Sequence, residues 1–181
     1  KRQVFLAMAR SVPIARLKPE GNKKDKTMFS IEAIMSTDLI TIGPTASLAD
    51  ARSLMQTNRI HHLPVVADDG ELVGLVTLTN VLAATDSFLR EDDSRIHATE
   101  IRIEDVMVKD IATVDERASL RTAALFIEKH KIGCLPVLAD GKLKGIITDS
   151  DFVAVAINLL EQLEESEPLG EEIAEEPEEE F

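Results

Sequence analysis

The chain of 181 residues is long enough for one domain with a packed core, or for two small units that share one. Apolar residues make up 44% of it, which favours a globular fold over disorder. The formal net charge of −13 and the absence of Trp and Tyr argue against nucleic acid as a partner. No apolar run reaches the roughly 20 residues of a membrane span, so we expect a soluble protein. Cys134 is the only cysteine, which excludes a disulfide framework and favours a cytoplasmic location.

The two ends of the chain carry opposite charges. Residues 1–29 hold eight basic and two acidic side chains, whereas residues 161–181 hold eleven Glu and no basic residue. The sequence therefore predicts a basic N-terminal arm over residues 1–30 and an acidic, disordered tail over residues 161–181. Two alternatives stay open: the tail could contact the arm, and the arm could form a short helix on the domain or on a partner.

The middle of the chain repeats itself. The stretch "IEAIMSTDLITI" from Ile31 matches "IEDVMVKDIATV" from Ile103, at an offset of 72 residues (103 − 31). The tripeptide Leu-Pro-Val recurs at the same offset, and "GLVTLTN" from Gly74 is followed 71 residues later (145 − 74) by "GIITDSD" from Gly145. We therefore predict two copies of one supersecondary unit, over residues 31–90 and 103–160, joined by a linker over residues 91–102.

Each copy is predicted to contain, in chain order, a short strand, a helix, a strand hairpin and a second helix. Ser47 and Ser119 stand where N-caps belong, ahead of apolar residues at helical spacing. The stretches "LPVVADDGELVGLVT" and "LPVLADGKLKGIIT" alternate as strands do, around an Asp-Gly turn. The fold class is therefore α/β. One unit of roughly 50 residues cannot cover its own sheet, so the copies should pack together and leave clefts between them.

Three repeated patterns, Val/Ile-Met, Leu-Pro-Val and Gly-x-x-Thr-x-x-Asp/Asn, resemble those of tandem cystathionine β-synthase (CBS) domains, a pair also called a Bateman module. The resemblance covers about residues 31–160. It implies an α/β (α+β) fold of two β-α-β-β-α repeats packed with pseudo-twofold symmetry, and a disc-shaped homodimer. It also implies that the clefts bind adenosyl compounds and that the role is regulatory, in signal transduction, rather than catalytic.

The stretch "GIITDSD" places Thr148 at the end of an apolar strand and Asp151 one turn into the next helix. N–H groups of a first helical turn favour an anion such as phosphate, and a carboxylate can accept hydrogen bonds from both hydroxyls of a ribose. An alternative stays open, in which Thr148 caps the helix and Asp151 returns a hydrogen bond to it. The other copy holds Thr77 and Asn80. An amide accepts two hydroxyl donors less well than a carboxylate, so we expect a weaker cleft there.

The resemblance also implies which other residues face the two clefts. The main cleft is expected to gather Ile40, Ile60, His61, His62, Ile146, Thr148 and Asp151. The weaker second cleft is expected to gather Thr77, Asn80 and Ala112, with Gly133 beside them. For the two histidines, an alternative is that one packs in the core and the other is exposed. A metal site is not expected, because adjacent histidines on a strand point to opposite faces and no cluster of further ligands completes a set.

We therefore expect a sensor that binds an adenine nucleotide (AMP, ADP or ATP) in the main cleft and requires no cofactor. Two alternatives remain: a ligand-free dimerisation module that acts through its charged arms, and a sensor of another adenosyl compound such as S-adenosylmethionine. Enzymatic activity finds little support, since the sequence contains no P-loop and no Gly-x-Ser-x-Gly motif. The sequence does not identify the regulated partner, and neither nucleic acid nor a membrane is expected as one.

Overall fold

The computed structural model describes residues 15–18, 30–89 and 98–166, with the backbone alone for residues 86–89. The predictions for the rest of the arm, for residues 91–97 of the linker and for the tail beyond residue 166 lie outside these described residues. The chain divides into two compact units, residues 1–149 and residues 150–181. The first unit contains the described part of the first repeat, and the second repeat as far as the end of its last strand.

In the second repeat the strands and the longer helices follow the predicted order, and in the first repeat the predicted first strand is not among the elements. They are β1 (Arg16–Leu17); in the first repeat α1 (Ile31–Ile34), α2 (Leu48–Asn58), β2 (His62–Val66), β3 (Leu72–Thr77) and α3 (Leu78–Leu89); and in the second repeat α4 (Ile103–Val106), β4 (Thr113–Asp115), α5 (Leu120–His130), β5 (Cys134–Ala139), β6 (Lys142–Thr148) and α6 (Asp149–Ser166). The single turns α1 and α4 were not expected, because four residues are too few to show helical periodicity. Helix α6 continues six residues (166 − 160) past the predicted end of the second repeat.

The strands form two sheets, one for each repeat. In the second repeat the order is β1-β4-β5-β6, in which only β5 and β6 are antiparallel. In the first repeat β2 and β3 form an antiparallel hairpin, and the predicted strand "LITI" is reduced to a parallel bridge between Ile42 and Val65. At residues 16–17 the arm is a strand rather than the short helix considered from sequence. The reason is that this segment extends the edge of the second repeat's sheet, where the N–H of Thr113 donates to the carbonyl of Ala15 at 2.8 Å.

Local sequence signals account for several element boundaries. The predicted N-cap Ser47 is confirmed: its Oγ accepts from the N–H of Asp50, and the Asp50 carboxylate accepts from the N–H of Ser47, each at 3.1 Å. Ser119 likewise caps α5 by accepting from the N–H of Thr122 at 3.1 Å. In the second hairpin Asp140 and Gly141 have φ angles of 48° and 85°, the left-handed conformation that a tight two-residue turn requires. The Asp-Gly pair thus fixes the register of β5 against β6.

The core of the first repeat includes one residue of the linker and the first residue of the second repeat. Ile101 and Ile103 are buried in it, and the backbone holds them there. The N–H of Leu48 donates to the carbonyl of Ile101 at 2.8 Å, and the N–H of Ile103 donates to the carbonyl of Ala46 at 3.0 Å. The buried cluster comprises Ile42, Leu48, Ala51, Met55, Leu63, Val65, Val76, Val81, Ala84, Ile101 and Ile103. The first repeat therefore does not complete its core with its own residues.

The two repeats also exchange backbone hydrogen bonds in equivalent pairs. Ser36 of the first repeat pairs with Ile146 of β6 through N–H···O bonds of 2.9 and 3.0 Å. Val108 of the second repeat pairs with Leu75 of β3 through two bonds of 2.9 Å. Each pairing lies beside a glycine at which a side chain would have no space. The Met of the other repeat's Val/Ile-Met pattern occupies that space.

Distances at the two glycines show how closely the repeats approach. A Cβ atom placed on Gly145 would lie 2.6 Å from Sδ of Met35, and one placed on Gly74 would lie 2.7 Å from Sδ of Met107. The backbone is equally close, because a Cβ on Gly145 would lie 3.0 Å from the carbonyl oxygen of Ser36. Two of the patterns found in the sequence are therefore the two sides of one contact between repeats.

Replacing Gly145 by Ala should lower the free energy of unfolding by about 1–3 kcal/mol, because the new methyl group would overlap Met35 and the Ser36 carbonyl. Urea unfolding measures this change. Gly43→Ala is the matched control, since no atom lies within 4 Å of a Cβ placed there. In a Met35→Ala background the cost of Gly145→Ala should shrink. Equal stability of the Gly145→Ala and Gly43→Ala variants would contradict the contact.

Candidate ligand-binding cavity between the repeats

A cavity of about 320 Å³ lies between the two repeats, within the first unit. It contains the three residues predicted for the second cleft, Thr77, Asn80 and Ala112, and Gly133 with them. The first repeat lines it with His62, Leu75, Thr77, Thr79 and Asn80, and the second repeat with Val108, Asp110, Ile111, Ala112, His130, Lys131, Ile132, Gly133, Cys134 and Pro136. The structure thus places in one cavity the four residues that the family resemblance had grouped in the second cleft.

The position of the cavity follows from the exchange between repeats. Because Val108 pairs with Leu75, the segment from Val108 to Ala112 of the second repeat passes close to the end of β3. At that end the strand becomes α3, and Leu78 begins the helix by donating its N–H to the carbonyl of His61 at 2.9 Å. The cavity therefore lies at a strand-to-helix junction, with walls from both repeats.

The side chain of Asn80 is engaged at this junction. Its Oδ1 accepts from the N–H of Thr77 at 3.0 Å and from the Thr77 hydroxyl at 2.7 Å, and its own N–H donates to that hydroxyl oxygen at 3.2 Å. The sequence had left this capping arrangement open for Thr148 and Asp151 of the second repeat, and here it is formed by Thr77 and Asn80 of the first. Since the one acceptor oxygen of the amide already receives two hydrogen bonds, Asn80 offers the cavity its Nδ2 donors rather than an acceptor.

His62 lies in the wall of this cavity. From the sequence we expected His62 in the cleft of Asp151, together with His61. The structure instead places His62 on β2, where it pairs with Thr77 of β3, in the wall of the cavity that contains Asn80. A Cβ placed on Gly133 would lie 2.9 Å from Nε2 of His62, so the imidazole fills the space that this glycine leaves. The grouping differs because neighbouring residues on an extended chain point to opposite faces, and His61 is exposed.

The electrostatics of the cavity wall are set by burial. Burial lowers the pKa of His62, a neighbouring Asp149 carboxylate opposes this shift, and His61 adds to it. Burial also raises the pKa of the Cys134 thiol to about 12, so this side chain stays a neutral thiol at neutral pH. The remaining charged side chains of the cavity, Asp110 and Lys131, are exposed to solvent.

The residues predicted for the main cleft lie in both compact units. Ile40 and Ile60 are partly buried against the core of the first repeat. Ile146 pairs with the segment after Met35, and Thr148 ends β6 opposite Cys134. Asp151 belongs to the second unit, in the first turn of α6. The grouping of Asp151 with Ile40, Ile60, His61, Ile146 and Thr148 therefore stays a prediction.

Four polar residues of the cavity were missed in the sequence: Thr79, Asp110, His130 and Lys131. A signal for one of them was present, because Lys131 follows α5 as Arg59 follows α2, at the same offset of 72 residues (131 − 59). Both residues end their helix in the left-handed conformation, with φ angles of 53° and 55°. A basic residue at the helix end could thus have been read as a paired feature of both repeats.

Among residues 15–18, 30–89 and 98–166, no group of three or more His, Cys, Asp or Glu side chains is placed to hold a metal ion. None of the helices described there is both long enough and apolar enough to cross a bilayer.

The fold, together with the cavity between its two repeats, defines a tandem-repeat α/β module. The family model of the CBS domain matches the chain twice, over residues 31–87 and 103–158. The chain therefore belongs to the CBS domain family and contains a pair of these domains, as the sequence patterns indicated.

Crystal structures of CBS pairs are similar to this chain. A protein of Vibrio cholerae assigned to acetoin utilization (AcuB) is 43% identical, with 78% of this chain and 100% of that chain covered and a TM-score of 0.67. CBSX2, a protein of Arabidopsis thaliana, was solved in complex with AMP; it is 29% identical, with 73% and 98% covered and a TM-score of 0.63. The CBS pair of MJ0100, solved with 5′-methylthioadenosine and S-adenosylmethionine, is 25% identical, with 71% and 99% covered and a TM-score of 0.61.

Curated relatives differ in how much else they contain. A CBS domain-containing protein of Dictyostelium discoideum is 33% identical over 135 residues, which are 72% of this chain and 93% of that protein. The homoserine O-acetyltransferase of Methanocorpusculum labreanum is 32% identical over 123 residues, 67% of this chain but 23% of the enzyme. CBS pairs thus occur in relatives both as most of a protein and as a small part of an enzyme.

Proposed function

We propose that this CBS pair is a non-catalytic regulatory module that senses an adenine nucleotide, AMP, ADP or ATP, and needs no cofactor. The observation that carries the proposal is the cavity of about 320 Å³ with walls from both repeats, a volume within the roughly 300–1,000 Å³ of small-molecule sites. Similar CBS pairs bound to AMP, or to S-adenosylmethionine and 5′-methylthioadenosine, support the class of ligand.

The proposed mechanism uses the shared walls. A ligand that contacts both repeats binds one relative arrangement of them better than another, and it shifts the population toward that arrangement. Here the strand-to-helix junction of the first repeat and the segment from Val108 to Ala112 of the second repeat would both touch the ligand. A regulated partner would detect the change in arrangement, and we place this activity in the cytoplasm.

We further propose that the two clefts bind the nucleotide unequally, with the tighter site at Asp151. A carboxylate accepts hydrogen bonds from the two ribose hydroxyls, and such charge-assisted bonds are roughly twice as strong as neutral ones. At the sister position Asn80 offers no equivalent acceptor, because Oδ1 of this amide already receives two hydrogen bonds from Thr77. The tighter cleft is expected to include Ile40, Ile60, His61, Ile146 and Thr148.

Calorimetric titration with AMP, ADP, ATP and S-adenosylmethionine tests the sensing function. We expect at least one adenine nucleotide to bind, and Asp151→Asn to weaken it by about tenfold or more, since a hydrogen bond to a charged group contributes about 1.5–3 kcal/mol. Asp140→Asn is the matched control, because it removes the same charge at the tip of the β5-β6 hairpin. No heat and no thermal shift with any of the four compounds would refute the sensing function and leave the dimerisation alternative.

Asn80→Asp should create a second strong site. One carboxylate oxygen would keep the hydrogen bonds from Thr77, while the other could accept the ribose hydroxyls. The stoichiometry of AMP binding should then rise from one toward two per chain, with about tenfold tighter binding in the second cleft. The control ligand is 2′-deoxy-AMP, which lacks one of the two hydroxyls and should gain much less. An unchanged stoichiometry would show that the carboxylate does not determine the difference between the clefts.

The alternative function, a dimerisation module, is favoured by one observation on α6. Four large apolar side chains recur on one face of this helix, and their exposed fractions are 59% for Val153, 50% for Ile157, 58% for Leu160 and 62% for Leu163. An apolar stripe of this kind is usually covered by a partner. We propose that a second copy of the chain covers it, so that dimerisation accompanies nucleotide sensing rather than replacing it.

Leu160→Glu should convert the dimer to a monomer, because a charge would be buried in the interface. Sedimentation velocity over a range of protein concentrations measures the change in mass. Asn158→Glu adds the same side chain on the opposite face of α6, where it should leave the dimer intact. A wild-type chain that sediments as a monomer at all concentrations would rule out the homodimer.

A further inference from the structure

The two repeats differ at one edge of their sheets. In the second repeat β1 pairs in parallel with β4, and the N–H of Thr113 donates to the carbonyl of Ala15 at 2.8 Å. The residue equivalent to Thr113 in the first repeat is Thr41, at the offset of 72 residues (113 − 41). In the described part of the chain no segment pairs with Thr41. Accordingly, Thr41 is exposed whereas Thr113 is partly buried.

The backbone groups of Thr41 point to this edge. Its neighbour Ile42 faces β2, because the N–H of Ile42 donates to the carbonyl of Pro64 at 3.1 Å and its carbonyl accepts from the N–H of Val66 at 2.9 Å. Since successive residues of an extended chain direct these groups to opposite edges, Thr41 directs its N–H and carbonyl away from β2. Unpaired groups at a sheet edge are a template for an added strand. We call this place the Thr41 edge.

The Thr41 edge differs from the ligand clefts. Its equivalent, Thr113, is not in the wall of the described cavity, although Ile111 and Ala112 line that cavity. By the same offset we do not expect Thr41 in the wall of the other cleft. A strand bound at this edge would therefore leave the clefts open.

Strand β1 shows what kind of segment such an edge accepts. Along residues 15–18 a partly buried Ala or Leu alternates with an exposed Arg or Lys. The basic side chain acts on a carboxylate of the sheet: the pKa of Asp115 is lowered chiefly by its hydrogen bond with Arg117, and the charge of Arg16 adds to this shift. The segment that fits is therefore extended, with basic residues between apolar ones.

The charges beside the Thr41 edge favour a basic segment. Val66, at the end of β2, pairs with Ile42, so the turn that follows β2 begins beside the edge. The Arg102 guanidinium, which donates to the carbonyl of Thr45 at 2.6 Å, offsets one negative charge near this end. Four exposed carboxylates flank the edge, one before it and three in the turn: Asp38, Asp68, Asp69 and Glu71.

We propose that the Thr41 edge binds an extended segment of a partner protein, in which apolar and basic residues alternate, as an added parallel strand. A partner is the favoured occupant because β1 of this chain, and of any second copy, is already paired with its own β4. The inference goes beyond the proposed function, since it gives the kind of segment by which a regulated protein attaches. It holds whether or not a nucleotide binds.

Amide hydrogen exchange of the full chain, followed by NMR, tests whether the edge is free. We expect the amide of Thr41 to exchange at least about tenfold faster than that of Thr113, which is held by its hydrogen bond to Ala15. Slow exchange of Thr41 in a dilute sample would show that the chain's own arm covers the edge. Protection that rises with protein concentration would show that a second copy covers it. Either result would overturn the proposal.

The binding experiment uses a synthetic peptide, VPIARLKP, that copies residues 12–19 and has capped ends. We expect this peptide to shift the NMR signals of Thr41 and Ile42 and to slow the exchange of the Thr41 amide. The same peptide with Glu in place of its Arg and Lys should bind at least about tenfold more weakly, because it meets the carboxylates of the edge. No binding, shifts at Thr113 alone, or equal binding of the two peptides would overturn the proposal.

Two methylated peptides test the strand pairing without changing the protein. Methylation of the nitrogen that corresponds to Leu17 removes the N–H that a parallel ladder places against the carbonyl of Thr41, and it should weaken binding about tenfold or more. Methylation at the nitrogen of Arg16, whose N–H points to the opposite edge, is the matched control. In the chain, Thr41→Pro removes the N–H of the edge and should also weaken binding, while Thr41→Val keeps it. Equal affinity of the two methylated peptides would overturn the proposal.

Discussion

The structure depends on a reciprocal contact in which the Met of each repeat packs on a glycine of the other. Met35 lies against Gly145 and Met107 against Gly74, and each contact is flanked by two backbone hydrogen bonds that cross between repeats. The glycines are needed because a side chain would stand under 3 Å from the Met sulfur. Since the exchange is reciprocal, neither repeat is a closed folding unit, as the burial of Ile103 in the first repeat's core also shows. A cavity between the two repeats must therefore change shape whenever one repeat shifts relative to the other.

The two repeats have the same backbone architecture but place large and small side chains at different positions around the clefts. In the described cavity the first repeat contributes His62, and the glycine against which this ring packs, Gly133, comes from the second repeat. The offset of 72 residues pairs His62 with Cys134 and Gly133 with His61. The other cleft is thus expected to contain one histidine and one small residue in exchanged positions. His62 has room because Gly133, the residue against which its ring packs, has no side chain.

Much of this architecture was predictable because it is recorded in periodicity and turn chemistry. The internal repeat, the caps at Ser47 and Ser119 and the Asp140-Gly141 turn all follow from local residue types. What could not be predicted depends on contacts between distant segments. The strand at Arg16–Leu17 forms because the edge of β4 is available to it, and nothing in the arm's own composition favours extension over helix. The cleft that His62 faces could not be predicted either, since it is set by the register of β2 against β3.

The hydrogen bonds of Asn80 explain why capping a helix and binding a ligand need not exclude each other. At the start of α3 the cap engages the only acceptor oxygen of an amide, and both donors come from Thr77. A carboxylate at such a position has a second oxygen, and its charge strengthens every hydrogen bond that it accepts. The same junction can therefore cap a helix in either repeat, while a carboxylate has acceptor capacity beyond the cap. A difference in affinity between the clefts then requires one change of functional group and no change of fold.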